Sequence, residues 1–273
     1  MSVLADLTVV TVSKNNLIGL KKTHASLRPV LGKCTWIVQD GNSSDGTKKF
    51  LKSLEINNVQ FFSEPDSGIF HAMNTALENV KTKYVWFLNA GDELLSLDSL
   101  EKSLIALEKS RKSWLVAGAI LSDSRGQRFG YWQTPTFPQI WRALGIQSWC
   151  HQATVYKTKF LSKGGGYDPS SIIADWSTSL KLERLENPLV RVEPIAVFLT
   201  GGLSSSIDRK LWIHLHHQGR EIAGLTLTRR STLLAFLNHG TYWISQGKFG
   251  SSTIRKLLEK IFRQRITSYF LND

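Results

Sequence analysis

Thr35-Trp36-Ile37-Val38-Gln39-Asp40-Gly41-Asn42-Ser43-Ser44-Asp45-Gly46-Thr47 joins a short apolar run to a loop of Asp, Asn, Ser and Gly. The run from Thr35 to Val38 reads as a buried strand. Ser44 or Asp45 is placed to cap the helix that follows through Phe50, Leu51 and Leu54. The same unit recurs on both sides. Leu7 to Ser13 is β-branched and apolar, a first strand, and Asn16 to Leu27 is a helix closed by Pro29. Val59 to Phe62 is a third strand, and Ile69, Met73, Ala76, Leu77 and Val80 follow at helical spacing. Tyr84 to Leu88 is the most apolar strand, Leu97 to Leu107 a helix, and Trp114 to Leu121 another strand. Such alternation predicts an α/β fold with a mainly parallel central sheet and helices on both faces.

Acidic motifs punctuate this pattern. They are the Asp40 loop, Glu64-Pro65-Asp66-Ser67-Gly68-Ile69, Asn89-Ala90-Gly91-Asp92, and Ala174-Asp175-Trp176. The first three follow strand-like runs, which puts their side chains at the carboxyl edge of a sheet, where open α/β folds bind ligands. Carboxylates gathered there suit a metal, a sugar or a nucleotide, together with a base for proton transfer.

Past residue 125 the pattern changes. Pro135, Pro138, Gly145 and Gly164-Gly165-Gly166 break an irregular stretch, Ile173 to Leu185 reads as a helix, and Leu189 to Leu199 as an extended strand-pair region. Helices are expected at about 208–225, 230–246 and 252–270. The reading is a domain over 1–205, with a nucleotide half to about 122 and an acceptor half from 123, then a basic helical extension over 206–273.

The chain of 273 residues carries 34 Lys and Arg against 22 Asp and Glu, a net charge of +12. This excess suits phosphate-bearing partners. Two cysteines, Cys34 and Cys150, make no disulfide framework and favour a reducing compartment. The first residues lack a basic, cleavable apolar leader, so no signal peptide is expected. The uncharged run from Ser231 to Gly247 is interrupted by Asn238, His239, Gly240 and Gln246, so no spanning helix is expected. No nucleic-acid motif accompanies the charge, and its aromatics form no stacking platform; nucleic acid is not an expected partner.

These motifs, in this order over residues 6 to 205, resemble the family-2 glycosyltransferases of bacterial surface-polysaccharide synthesis, which have the GT-A fold. Thr8-Val9-Val10-Thr11-Val12 with Asn15-Asn16 looks like the opening strand and turn, and the Asp40 loop like the nucleoside-binding loop. Ser63 to Ile69 with Ala72-Met73-Asn74 is similar to a branch signature, and Phe87 to Asp92 sits where the Asp-x-Asp motif belongs. His151-Gln152, Gly165-Gly166-Tyr167-Asp168 and Ala174-Asp175-Trp176 look like acceptor-side motifs. The resemblance implies an inverting transferase that moves a sugar from a nucleotide donor, a UDP-sugar by preference, to a saccharide acceptor. It assigns Thr11 and Asp40 to the base, Asp66 and Gly68 to ribose and donor sugar, and Asn74, Asn89 and Gly91 to the donor site. Asp92 is the metal ligand for Mn2+ or Mg2+, and Asp175 the general base. His151, Trp176 and Ser204 are expected at the acceptor or diphosphate. The sequence departs from the pattern at Asn89 and Gly91, where many relatives carry Asp.

Each motif has a plainer rival. An Asp-Gly-Asn-Ser-Ser-Asp loop is also a common turn with a helix cap. Asn-Ala-Gly-Asp can be a plain turn, and Asp175 a solvated helix residue. A non-catalytic module of GT-A type that binds nucleotide or glycan is the alternative function. His151 reads by default as a buried, hydrogen-bonded histidine, and His214, His216 and His217 as partly exposed surface residues. Gly201-Gly202-Leu203-Ser204-Ser205 reads as a phosphate-contacting loop or a helix-start turn.

From Ser205 to Asp273 there are 11 Lys and Arg against 4 Asp and Glu. The helix expected at 252–270 aligns Ile254, Leu257, Leu258, Ile261 and Phe262. A basic amphipathic helix suits peripheral contact with an anionic membrane, and equally its own core or a second subunit in a homo-oligomer. An acceptor on a lipid diphosphate carrier, at the cytoplasmic face of the membrane, would match the first reading.

Overall fold

A computed structural model describes residues 2–54, 57–132, 142–143, 148–202 and 209–225. The helices expected at 230–246 and 252–270, and Ser204, lie outside the described residues.

The expected alternation is present. Strands β1 (Leu7–Ser13), β2 (Thr35–Asp40), β3 (Val59–Ser63) and β4 (Tyr84–Phe87) lie side by side in the order β3-β2-β1-β4, all parallel. Helices α1 (Leu17–Leu27), α2 (Thr47–Lys52) and α3 (Ile69–Glu78) join them. Strand β1 is buried at every position, because helices cover both faces; hence its unbroken apolar run. Asn16 caps α1, its side-chain oxygen accepting the Gly19 N–H at 3.0 Å.

The sheet continues past β4 with mixed direction. Beyond β5 (Glu93–Leu94) and α4 (Leu97–Lys109) come β6 (Trp114–Ser122), β7 (Arg128–Trp132), β8 (Thr154–Lys157) and β9 (Leu189–Leu199). The order is β4-β8-β6-β9-β5, with β7 also on β6. Strand β9 runs parallel to β6, while β8, β7 and β5 are antiparallel to their neighbours. The helices α5 (Thr158–Lys163), α6 (Ala174–Leu185) and α7 (Arg209–Ile222) complete the described elements.

Two local readings change. The β6–β7 hairpin falls in the stretch read as irregular. Its turn is shaped by Asp123, whose carboxylate accepts the Arg125 and Gln127 N–H groups at 2.9 Å, and by Gly126 at φ 80°. The Leu189–Leu199 region is one strand, not a pair. Pro194 has no N–H to give the ladder, and the register against β6 shifts there, where Gly118 pairs with Pro194.

Apolar side chains alternate to the two faces of the parallel strands. Val9, Trp36, Val38, Trp86 and Leu88 pack with Leu20 and Leu27 of α1 and Leu100, Leu104 and Leu107 of α4. Val10, Val12, Ile37, Val85 and Phe87 pack with Phe70, Met73 and Ala76 of α3 and with Tyr167, Ala174 and Leu182. A smaller cluster of Trp176, Leu180, Leu215 and Ala223 holds α7 against α6.

Candidate functional site

The polar loops meet where β1, β2, β3 and β4 end. Parallel pairing brings Ser13 beside Asp40 and Asp40 beside Ser63. The Asp40 side chain is fully buried. Its carboxylate accepts the Ser43 N–H at 3.0 Å, the Ser43 hydroxyl, and the Ser63 hydroxyl at 2.6 Å. Such a carboxylate fixes the loop's shape. Asp45 does the same at the loop's far end. It accepts the Leu17 N–H at 2.8 Å and both the N–H and hydroxyl of Thr47, so one side chain serves the first turns of α1 and α2. The Thr47 hydroxyl is the largest cause holding its carboxyl below the usual range. The cap residue of α2 is Gly46, at φ 95°, with Asp45 acting just outside it.

The segment after β1 links two of these loops. Asn15 donates its N–H to the Ser43 hydroxyl at 2.7 Å and accepts the Ser44 N–H at 2.8 Å. Asn16 donates from its amide to the Ala90 carbonyl at 3.0 Å. Lys14 is therefore held between the Asp40 loop and the acidic turn. Its ammonium lies 3.3 Å from Asp66, whose carboxylate also accepts the Gly68 N–H at 3.2 Å. The ion pair crosses Gly41: a methyl group built there would come 2.2 Å from Asp66 Oδ2 and 3.0 Å from Lys14 Cδ. Gly68 opens α3 at φ 144°.

Asp92 is buried, and its Oδ1 accepts the Leu199 N–H of β9 at 2.8 Å. Burial pushes its carboxyl up to about 7, partly offset by the hydrogen bonds from Leu199 and Asn89 and by Lys22. Thr23 of α1 supports this turn from below. Its hydroxyl donates to the Asp92 carbonyl at 2.7 Å and accepts the Gly91 N–H at 3.0 Å. Gly91 has φ 109°, and a methyl group there would meet Leu199 Cδ2 at 2.7 Å. A carboxylate at 91 would thus need both a strained backbone and a displaced leucine. The Asn89 side-chain oxygen is buried with no hydrogen-bond partner. With Asp92 it supplies oxygen donors only, the chemistry of a hard divalent cation. Among the described residues, no group of three or more His, Cys, Asp or Glu side chains could hold a metal ion alone.

The facing wall is aromatic. His151 is buried, its Nε2 2.8 Å from the Tyr167 hydroxyl, which also hydrogen-bonds Tyr156. The rings of His151 and Tyr167 both pack on Phe87, the last residue of β4. Burial lowers the histidine's pKa and raises that of Tyr167; the Asp175 charge reaches both. Asp175 stands in the first turn of α6, half-buried, and its Oδ1 accepts the Trp176 N–H at 2.9 Å. A cavity of about 260 Å³, whose lining does not include Asp175, is bounded by Gly166, Tyr167, Asp168, Ser177, Thr178 and Lys181.

Other residues expected to touch ligand are occupied within the protein. The Thr11 hydroxyl donates to the Leu88 carbonyl at 2.8 Å and accepts from the Trp36 indole at 3.0 Å. Asn74 spends both ends of its amide on Tyr167, donating to its carbonyl at 2.7 Å and accepting its N–H at 2.9 Å. Trp176 is buried, donating to the Arg142 carbonyl at 3.1 Å with its ring against His216. His216 is therefore core, not surface, while His214 and His217 are exposed. Sequence reasoning passed over Lys14 and Thr23, and read Asp45 only as a cap for the helix that follows it. A threonine on the apolar face of α1 was the available signal for Thr23.

The model of glycosyl transferase family 2 matches residues 8–161. An uncharacterised glycosyltransferase of Mycobacterium tuberculosis is 28% identical over 201 residues, covering 72% of this chain and 76% of that one. The fold is similar to that of S. aureus TarS in complex with UDP-GlcNAc, at a TM-score of 0.59 and 14% identity over 80% of this chain and 70% of that one. It is also similar to the mannosyltransferase PcManGT from Pyrobaculum calidifontis in complex with GDP-Man and Mn2+, at a TM-score of 0.60 and 14% identity over 96% and 80%. These are GT-A glycosyltransferases. A parallel sheet that gathers the Asp40, Asp66 and Asp92 loops at one edge is thus accompanied by a sequence match over more than half of the chain: the chain belongs to glycosyl transferase family 2.

Proposed function

We propose that the protein transfers a sugar from a nucleotide-sugar donor, a UDP-sugar by preference, to a saccharide hydroxyl with inversion at the anomeric carbon. One observation carries this reading: Asp175 is a half-buried carboxylate whose charge reaches His151, and His151 packs on Phe87 at the end of β4, two residues before Asn89. A base on one wall thus faces the loops that would hold a diphosphate.

The donor's base and ribose lie against the Asp40–Gly41 floor and Asp66. Asp40, committed to Ser43 and Ser63, acts chiefly by shaping that floor. Asp92, with the Asn89 oxygen, would hold Mn2+ or Mg2+ together with the diphosphate, and the cation would neutralise charge developing on the leaving group. Asp175 takes the proton from the acceptor hydroxyl as its oxygen bonds to the anomeric carbon. The bond from that carbon to the diphosphate oxygen breaks, and its electron pair leaves with the nucleotide. Attack from the face opposite the diphosphate inverts the centre. His151, kept neutral by burial, does not pair with Asp175 as a cation, and among the described residues no ion pair engages the Asp175 carboxylate.

PcManGT is in complex with GDP-Man and Mn2+ and TarS with UDP-GlcNAc, which supports a metal and a nucleotide sugar for a chain of the same fold. The basic segment from Ser205 onward supports an acceptor carried on a lipid diphosphate at the membrane's inner face. No helix among the described residues is long and apolar enough to cross a membrane.

Calorimetric titration of UDP, GDP and dTDP, with and without Mn2+, into the wild type and Asp92→Ala tests the reading. One nucleotide binding tightly only with metal, and only when Asp92 is present, is the expected result. Binding that ignores both would favour a non-catalytic scaffold.

A further inference from the structure

We propose that Lys14 is a donor-binding residue that exchanges its Asp66 partner for the phosphates of the incoming nucleotide. The inference rests on the donor-site reading above. Its ground is the place of Lys14 in the fold. Asn15 fastens the segment after β1 to the Ser43–Ser44 loop, and Asn16 fastens it to Ala90 in the acidic turn. The residue before them is therefore fixed between the floor that would take the nucleoside and the turn that would take the cation. The diphosphate is the part of a nucleotide sugar that spans that interval.

Charge makes a cation there necessary. Asp40, Asp45, Asp66 and Asp92 all lie in the loops at this edge, and a diphosphate brings further negative charge. Gly91 removes the carboxylate that would let a metal be held more fully by protein, so less of that charge is met by a tightly held cation. Two other lysines nearby are committed. Lys22 pairs with Glu93 at 3.0 Å, and Lys48 donates to the Asn42 side chain. The Lys14–Asp66 pair is one contact of 3.3 Å between an exposed lysine side chain, 54% accessible, and an Asp66 side chain that is only 9% accessible. The ammonium end reaches solvent, so it can turn to a phosphate without the Asp66 carboxylate having to move. Moving the ammonium to phosphate frees Asp66 Oδ1 for a ribose hydroxyl, and uncovers Gly41, over which the pair now lies.

The test compares the full chain, Lys14→Met and Lys14→Arg by calorimetry with Mn2+ present, at two salt concentrations. Ligands are UDP, GDP and dTDP, each beside its nucleoside. Lys14→Met is expected to weaken the preferred diphosphate roughly tenfold, leave its nucleoside unchanged, and flatten the salt dependence of nucleotide binding. Lys14→Arg is expected to keep most of the affinity. Equal losses for nucleoside and diphosphate would overturn the proposal, making Lys14 a prop for the base floor. No loss for either would overturn it too, leaving Lys14 a surface partner of Asp66. If the nucleoside gives no measurable heat, an unchanged salt dependence in Lys14→Met overturns it. If the wild type binds none of the diphosphates, the donor-site reading itself falls, a separate outcome.

Discussion

The donor edge and the acceptor wall hold their polar groups by different means. At the donor edge, carboxylates bind backbone N–H groups close in sequence: Asp40 with Ser43, Asp45 with Thr47, Asp66 with Gly68. Each of these three carboxylates has a local fastening, to which longer-range bonds such as Leu17 N–H to Asp45 and Ser63 hydroxyl to Asp40 are added. On the acceptor wall the partners are far apart in the chain. Asn74 holds Tyr167, Tyr167 holds His151, and Arg142 pairs with Glu183 in a buried, two-pronged contact with its Nε 2.8 Å from Oε2. The donor edge therefore leans more on local fastenings than the wall does. The wall is a packed assembly whose parts depend on one another.

Changing chemistry on the wall without changing its shape should give the largest effect. Asp175→Asn keeps volume and the hydrogen bond from the Trp176 N–H but removes the base. Transfer should fall by about 10²–10⁴-fold while nucleotide affinity holds. Unchanged turnover would remove Asp175 from the chemistry.

Breaking the wall's packing comes next. Arg142→Met leaves Glu183, among the most buried carboxylates here, without its cation. Loss of one partner of a buried pair costs about 3–5 kcal/mol, read from chemical denaturation. A loss below about 1 kcal/mol would show that the wall is no more interdependent than the donor edge.

The smallest effect sharpens the donor side through pH. Asp92 has a folded-state pKa raised by burial to about 7, from 3.8. A raised carboxyl contributes stability that is fully present below the unfolded value and lost as pH rises through about 7. Ligand-free protein should therefore lose stability across that window, and Asp92→Asn should flatten the loss. Metal-dependent nucleotide binding should run the opposite way, strengthening as pH rises toward 7.5 because the cation needs the ionised carboxylate. Identical pH profiles for wild type and variant would show that Asp92 does not titrate there.

The sequence by itself determined the parallel strands and their helices. Strands β1, β2 and β4 are covered on both faces, so their apolar runs are unbroken, and the helices between them carry periodic apolar faces and local caps. The same locality made the Asp40 and Asp66 loops legible, since each pairs a side chain with backbone a few residues away, whereas the Asp92 carboxylate is held by the Leu199 N–H 107 residues on. Only the tertiary structure decided the rest. Strand β7 is half exposed and held by β6, and β9 keeps its course through Pro194 because β6 shifts register to receive it. Trp176 and Asn74 carry no sequence mark that separates a ligand contact from an internal fastener. Their partners, Arg142 and Tyr167, lie 34 and 93 residues away, and a contact at that separation depends on how the whole chain packs. Lys14 stood outside the motifs for the same reason, its place between two loops being fixed only when Asn15 and Asn16 reach Ser44 and Ala90.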